Sequence, residues 1–187
     1  MSLQSWQETL ISAQGDGPQL LNNTTATSII PPAAKITLPN NWFQIGRVLR
    51  LTLAGNISCV VTTPGTLKLD LRLLAVIAFT TQAIPLNVVA KTQLPFYMQV
   101  ILTCRSIGAG TTATLMAIGF FISETYVGSP VPATGGAGAI IVPNTAPAVG
   151  TGFDSTAANT VDIFGTFSVN TATTQITLNQ YLLEALN

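Results

Sequence analysis

The chain has 187 residues, of which 7 are basic and 7 are acidic, so its formal net charge is zero. This length is typical of one domain, and the lack of a basic stripe argues against nucleic acid as a partner. A charged fraction of 7% is far below the usual value of about a quarter. Two interpretations follow: a neutral coat of Thr, Ser, Asn and Gln around a monomer, or a surface hidden in contacts with other chains, because interface cores are poor in charge.

The sequence also limits where the protein is made. Its start, MSLQSWQETL, has neither the basic segment nor the apolar segment of a secretory signal. The best apolar run, ATLMAIGFFI, is about half as long as a membrane-spanning helix. We therefore expect synthesis in a cytosol and no membrane partner. Cys59 and Cys104, the only cysteines, are expected to be buried reduced thiols.

Residues 1–44 are predicted to form an extended N-terminal arm. They contain paired Pro and paired Asn residues and show no sustained hydrophobic period. Trp6, Leu10 and Ile11 have the spacing of one short helical turn. A long irregular segment of this kind is usually functional or disordered. This one is apolar enough to need a partner surface.

From Ile45 onwards, apolar and polar residues alternate, which predicts one long strand or two, with Gly55 as a candidate bulge. The letters TTPG then predict a turn into the strand TLKLDLRL, residues 66–73. An odd-length loop puts all apolar side chains of this hairpin on one face. That register gives the pairs Val61–Leu67, Cys59–Leu69 and Ile57–Leu71.

Three of the few charged residues, Lys68, Asp70 and Arg72, alternate with the leucines of that strand. They are predicted to mark the outer face of a half-buried antiparallel strand, with Lys68 and Arg72 on either side of Asp70. This face is interpreted either as solvated or as a polar contact between subunits.

The remaining sequence continues the strand signals. LPFYMQVILTCRS and ATLMAIGFFIS are predicted to pair through the turn IGAGTT, and the second is apolar enough to be covered on both faces. Residues 127–152 are rich in Gly, Pro and Ala and are predicted to form a long loop, with a short strand at AIIV. NTVDIFGTFSVN and QITLNQYLLEALN form the last predicted hairpin. This pattern predicts an all-β sandwich or barrel and excludes a parallel α/β fold.

Catalytic signatures are missing from the sequence. Without histidine, Ser-His-Asp and Cys-His systems are excluded. TGGAGA lacks the lysine and the strand-to-helix context of a phosphate-binding loop. Asp154 and Asp162 are better explained as loop-capping residues than as calcium ligands. We therefore predict a protein that is not an enzyme and has no cofactor and no metal.

Four segments carry a resemblance to a known family. Parts of small jelly-roll proteins of tailed bacteriophages resemble LPNNWFQIGRVLRLTLAGNIS, TTPGTLKLDLRL, LTCRSIGAGTTATLM and PAVGTGFDSTAANTVDIFGTFSVNTATTQITLNQYLLEAL. The likeness runs over roughly residues 38–187. It implies an antiparallel jelly-roll β-sandwich of the TNF-like kind at 45–187, commonly trimeric, located in the virion and made in the host bacterial cytoplasm.

Two hypotheses follow from the resemblance. The first is a capsid decoration, or cement, protein that trimerises and reaches with its arm over the major capsid protein or other virion proteins. The second is a fibre or tail-tip module that binds a host glycan. The candidates for contact between chains are Trp6, Leu10, Ile11, Trp42, Lys68, Asp70 and Arg72.

Overall fold

The protein folds into two packed β-sheets. The structure, a computed structural model, describes residues 7–60, 62–126, 138–143 and 152–186. The strands are β1 (Gln7–Ser12), β2 (Leu20–Leu21), β3 (Thr27–Ser28), β4 (Thr37–Leu38), β5 (Val48–Cys59), β6 (Thr66–Leu73), β7 (Val76–Thr80), β8 (Ile84–Pro85), β9 (Lys91–Ser106), β10 (Thr114–Ser123), β11 (Gly138–Val142), β12 (Asn159–Phe167) and β13 (Gln175–Leu186). A short 3₁₀ turn covers Pro32–Ala34. Within the described ranges, no helix is long and apolar enough to cross a membrane.

The first sheet has the strand order β1-β13-β5-β9-β10-β11, with β2 also beside β13. The second sheet has the order β3-β12-β6-β7, with β4 beside β12 and β8 beside β6. The pairings in both sheets are antiparallel. The predicted all-β antiparallel sandwich is therefore confirmed.

The core lies between the sheets and follows from the alternation in the sequence. The four leucines of β6 are at most 2% exposed. Alternate residues of β5 and β9 are buried in the same way, among them Leu53 and Val100. Since side chains of a strand point to opposite faces in turn, each apolar row meets the apolar row of the facing sheet.

Two of the three predicted hairpins are wrong, because their strands pair with other partners. Strand β5 pairs with β13 and β9, whereas β6 pairs with β12, β7 and β8. The connection from β5 to β6 therefore crosses between the sheets. The predicted register Cys59–Leu69 and Ile57–Leu71 does not form, and Val61 lies outside the described residues. In the same way, β12 and β13 belong to opposite sheets. By contrast, β9 and β10 pair as predicted.

Gly55 lies opposite a bulge, although the extra residue belongs to the partner strand. Gly55 faces Leu178 and Ala54 faces Gln180, so Asn179 is the inserted residue in β13. A Cβ atom at Gly55 would collide with the carbonyl oxygen of Thr177. Glycine is required here because the two backbones approach closely.

The described part of the predicted arm, residues 7–44, lies against the sandwich. Strands β1 and β2 pair with β13, and β3 and β4 pair with β12. The segment also contributes core side chains that are at most 5% exposed: Leu20, Ile29, Ile30, Leu38 and Phe43. Residues 7–12 form a strand where a helical turn was predicted. The partner surface that this apolar segment needs is therefore the chain's own sandwich.

Candidate interaction surfaces

The outer face of the second sheet holds a polar cluster around Asp70. Asp70 is only 4% exposed. Its Oδ2 accepts a hydrogen bond from Arg72 Nη2 at 3.1 Å, and its Oδ1 accepts one from Thr80 Oγ1 at 2.6 Å. The Arg72 guanidinium lies 4.0 Å from the centroid of the Phe164 ring, which is on the neighbouring strand β12. Such a geometry is a cation–π contact.

The predicted solvated face is therefore wrong for Asp70 and correct for Lys68. Lys68 is exposed and lies opposite Thr166. Asp70 lies opposite Phe164 and Thr80, and these neighbours together with Arg72 cover the carboxylate. Of the two predicted flanking cations, Arg72 makes the ion pair. The charges of Asp70 and Arg72 are directed at each other, so this pair stabilises the fold of the chain itself. A role of this face in contacts between subunits stays a prediction.

A second ion pair joins the N-terminal segment to the same face. Asp162 accepts a hydrogen bond from Ser28 Oγ at 2.7 Å and pairs with Lys35 Nζ at 2.6 Å. Asp162 is 7% exposed. Ser28 and Lys35 both come from residues 7–44, so this carboxylate fixes that segment to β12. A buried charge with such partners is costly to leave unpaired.

Of the two predicted loop-capping residues, Asp154 has that role, whereas the prediction is wrong for Asp162, which lies within strand β12. Its Oδ1 accepts hydrogen bonds from the backbone N–H and the hydroxyl of Thr156, and its Oδ2 accepts one from the N–H of Gly110. The hydroxyl of Thr156, followed by the Gly110 N–H, holds the pKa of Asp154 below its ordinary value. Among the described residues, no group of three or more His, Cys, Asp or Glu side chains is placed to hold a metal ion.

On the outer face of the first sheet, Glu184 forms the other buried ion pair. Glu184 is 4% exposed, and its Oε2 accepts a hydrogen bond from Arg50 Nε at 2.7 Å. Gln7 donates a hydrogen bond to Oε1. The hydrogen bond from Arg50 lowers the pKa of Glu184, although burial partly opposes this effect.

This lowered pKa gives a pH prediction. A carboxyl group whose pKa is lower in the folded state binds fewer protons there, so its stabilising contribution is present above about pH 4.3 and is lost as the pH falls through the folded pKa. Glu184→Gln is expected to be less stable than the wild type at pH 7, and the difference is expected to shrink by pH 3. Urea unfolding at both pH values measures it, with Glu124→Gln as an exposed control. An unchanged difference at pH 3 would contradict the assignment.

An apolar patch occupies the other end of the same face. We define the apolar patch as Tyr97, Ile118, Phe120, Ile122 and Ile141, which are 37%, 46%, 39%, 38% and 57% exposed. They lie side by side, since Phe120 pairs with Ile141 and Ile122 pairs with Tyr97. The rings of Tyr97 and Phe120 stack with centroids 5.8 Å apart.

The prediction that β10 is covered on both faces is not met by the residues that the structure describes. Its inner residues, such as Leu115 and Phe121, are buried, whereas its outer residues carry the apolar patch. The signal that identifies this surface was present in the sequence, because a near-continuous apolar strand requires a cover on each side. The pattern does not tell which segment, or which other chain, would cover the outer face.

The candidates in the N-terminal region are only partly accessible. Leu10, Ile11 and Trp42 are half-buried and pack against the core. The Trp42 ring contacts the Phe43 ring edge-on at 5.1 Å, and the Arg47 guanidinium lies 4.5 Å above the Trp42 ring. Trp6 lies outside the described residues, as does the predicted loop 127–152 apart from 138–143 and 152. The role of these residues in contacts between chains stays a prediction.

Proteins similar to this chain are found among solved structures. No family model matches the chain, and no curated protein matches it. Among solved structures, the CBM2 module of the evolved Dit of Lactobacillus casei BL23 phage J-1 is similar, with a TM-score of 0.38 and 9% sequence identity. The alignment covers 99% of this chain and 98% of that chain.

Proposed function

We propose that the chain is a structural protein of a tailed-phage virion, and specifically a capsid decoration protein that stabilises the shell as a trimer. The observation that carries the proposal is a surface with very few charges and an apolar patch on an open sheet face. Net charge near zero and exposed apolar area both promote association, so such a surface suits a protein that works inside an assembly.

Three features support this role over catalysis. The described carboxylates with lowered pKa values are held by hydrogen bonds in structural positions, one at a loop and one on a strand inside the first sheet. The ion pair of Glu184 with Arg50 joins β13 to β5, and that of Asp162 with Lys35 joins β12 to the N-terminal segment. Asp70 and Arg72 pair within β6. The sequence segments that resemble tailed-phage jelly-roll proteins include β5, β12 and β13, which form the centre of the fold.

The attachment of the decoration protein is proposed to use the folded body. Residues 7–44 fill the core and pair with β12 and β13, so they are not free to reach over a neighbouring capsid subunit. Contacts made by each copy would add up, because a trimer on a local threefold axis binds several sites at once. This replaces the hypothesis of a clamp formed by an extended arm.

The proposal is tested by binding the purified protein to shells of the encoding phage that were assembled without it. Saturable co-sedimentation with expanded shells and a higher shell melting temperature are the expected results. Because the protein has few charges, binding is expected to persist from about 0.05 to 1 M NaCl, where the Debye length falls from over 10 Å to about 3 Å. Lack of binding to any shell, with retention on host cells or on a host glycan, would overturn the decoration role in favour of a fibre or tail-tip module.

A further inference from the structure

We propose that copies of this chain join through the apolar patch on β9, β10 and β11. The inference deepens the proposed function and rests on it for the role of the assembly. The contact surface is argued from the structure alone. Its occupant is a second copy of the chain.

The patch has the shape of an interface centre. Phe120 lies between Gln99 on one side and Ile141 on the other, and Ile122 lies between Tyr97 and Ala139. The apolar side chains therefore form neighbouring rows on three adjacent strands. The Tyr97 and Phe120 rings are nearly parallel, at an interplanar angle of 30°. Stacked aromatic side chains lose little freedom on binding and are frequent anchors at the centre of interfaces.

The charge distribution favours a like surface as partner. Of the residues in β9, β10 and β11, only Lys91 and Arg105 are charged, and both lie near the ends of β9. The nearest charged pair across the sheet, Arg50 with Glu184, is already satisfied internally. The patches of neighbouring copies, arranged around the shared axis of the proposed trimer, thus meet without like-charge repulsion. A strongly charged partner would find no complementary charge there.

The apolar patch lies on three of the six strands of this face, and a contact centred on it can extend over the rest of the face. The outer face of the first sheet spans six strands along its main path, spaced about 4.8 Å apart, and its longer strands rise about 3.4 Å per residue. With the 12 residues of β5 as a guide to length, the face measures roughly 24 Å by 40 Å, or about 1,000 Å². A stable interface covers about 800 Å² on each partner.

Three other exposed apolar residues lie outside this surface. Ile45, Leu74 and Ile107 are 68%, 56% and 47% exposed, but each lies outside the strands. Single exposed apolar side chains are normal on a soluble protein, whereas a contiguous group marks a contact site. These residues therefore provide matched controls.

The test measures native mass by analytical ultracentrifugation over a dilution series from about 100 μM to 0.1 μM. We expect the wild type to associate. The double variant Ile118→Thr, Ile122→Thr is expected to raise the dissociation constant at least about tenfold, since apolar area is lost from both partners. Ile107→Thr is the control, because Ile107 is 47% exposed and Ile118 is 46% exposed. Thermal unfolding verifies that each variant is folded, and Ile118→Lys with Ile107→Lys repeats the test if the double variant is not.

Each outcome decides the inference. A wild type that is monomeric throughout the series overturns it, and so does association that the patch variants leave unchanged. Shell binding is measured separately. If the chain associates through the patch but does not bind shells, the inference stands and the decoration role is overturned. If the chain is a monomer that binds shells, the inference is overturned and shell binding stands. Association only with a different purified virion protein, through the same residues, also overturns the second copy as occupant.

Discussion

A chain that begins at Pro39 is expected not to fold into the sandwich. The deletion removes β1 to β4, which pair with β12 and β13. It also removes four core side chains, Leu20, Ile29, Ile30 and Leu38. Each buried Leu or Ile contributes about 2–5 kcal/mol when truncated to Ala, and a domain is stable by about 5–15 kcal/mol in total. The summed loss of about 8–20 kcal/mol is as large as the whole stability, and the lost strand pairing adds to it.

Circular dichroism and thermal unfolding of the truncated chain measure this result. A single substitution measures the contribution of one core side chain of this segment. Ile29→Ala is expected to lower the free energy of unfolding by about 2–5 kcal/mol. Ile29 is 0% exposed, and its N–H donates to the Ile163 carbonyl at 2.9 Å. Ile107→Ala is the control, with an expected change within about 0.5 kcal/mol. A truncated chain that unfolds cooperatively at the wild-type temperature would show that residues 7–44 are dispensable for the core.

Strand faces were well predicted from the sequence, because burial of one face imposes a period of two. Leu67, Leu69 and Leu71 are buried, and Lys68 between them is exposed, as the alternation predicts. Strand partners were predicted poorly. The alternation in β6 is the same whether β5 or β12 lies beside it, so local pattern favours the neighbour in sequence. The true partner begins at Asn159, far along the chain, and no local signal specifies it.

The environment of Asp70 shows the same limit for the polar cluster. Alternation correctly places Asp70 on the outer face. Its burial depends on Phe164 and Thr80, which come from strands that the sequence did not identify as neighbours. An outward-pointing carboxylate is normally solvated. Only the three-dimensional arrangement shows that the Arg72 side chain, held over the Phe164 ring, closes this one.

The N-terminal segment and the apolar patch show two different reasons why burial could not be predicted from the sequence. Strands β2, β3 and β4 have only two residues each, so they produce no visible hydrophobic period. For this reason the sequence predicts an arm over residues 1–44. Strand β10 has an apolar pattern that predicts burial of both faces, but the described residues bury only one of them. The first error came from too little pattern, whereas the second identifies the surface on which the further inference rests.

Replacing Asp70 with Ala is expected to lower the free energy of unfolding by about 3 kcal/mol, at the lower end of the range for a broken buried ion pair. The loss has two sources. The Arg72 guanidinium loses its carboxylate partner, while Arg72 Nε is already buried without a hydrogen-bond partner. The Thr80 hydroxyl loses its acceptor at 2.6 Å. The lower end applies because the Arg72 side chain remains 21% exposed, so water partly compensates the charge.

The matched control for this last prediction lies two residues away. Lys68→Ala removes an exposed charge from the same strand and is expected to change the free energy of unfolding by less than about 0.5 kcal/mol. The double variant Asp70→Ala, Arg72→Met is expected to be more stable than Asp70→Ala alone, because no unpaired guanidinium is left against the Phe164 ring. The cycle of wild type, Asp70→Ala, Arg72→Met and the double variant, measured by urea unfolding, gives the coupling between the two charges, and Lys68→Ala is measured beside them. If Asp70→Ala were as stable as Lys68→Ala, the face would be solvated after all, and the ion pair would contribute nothing to holding β6 beside β12.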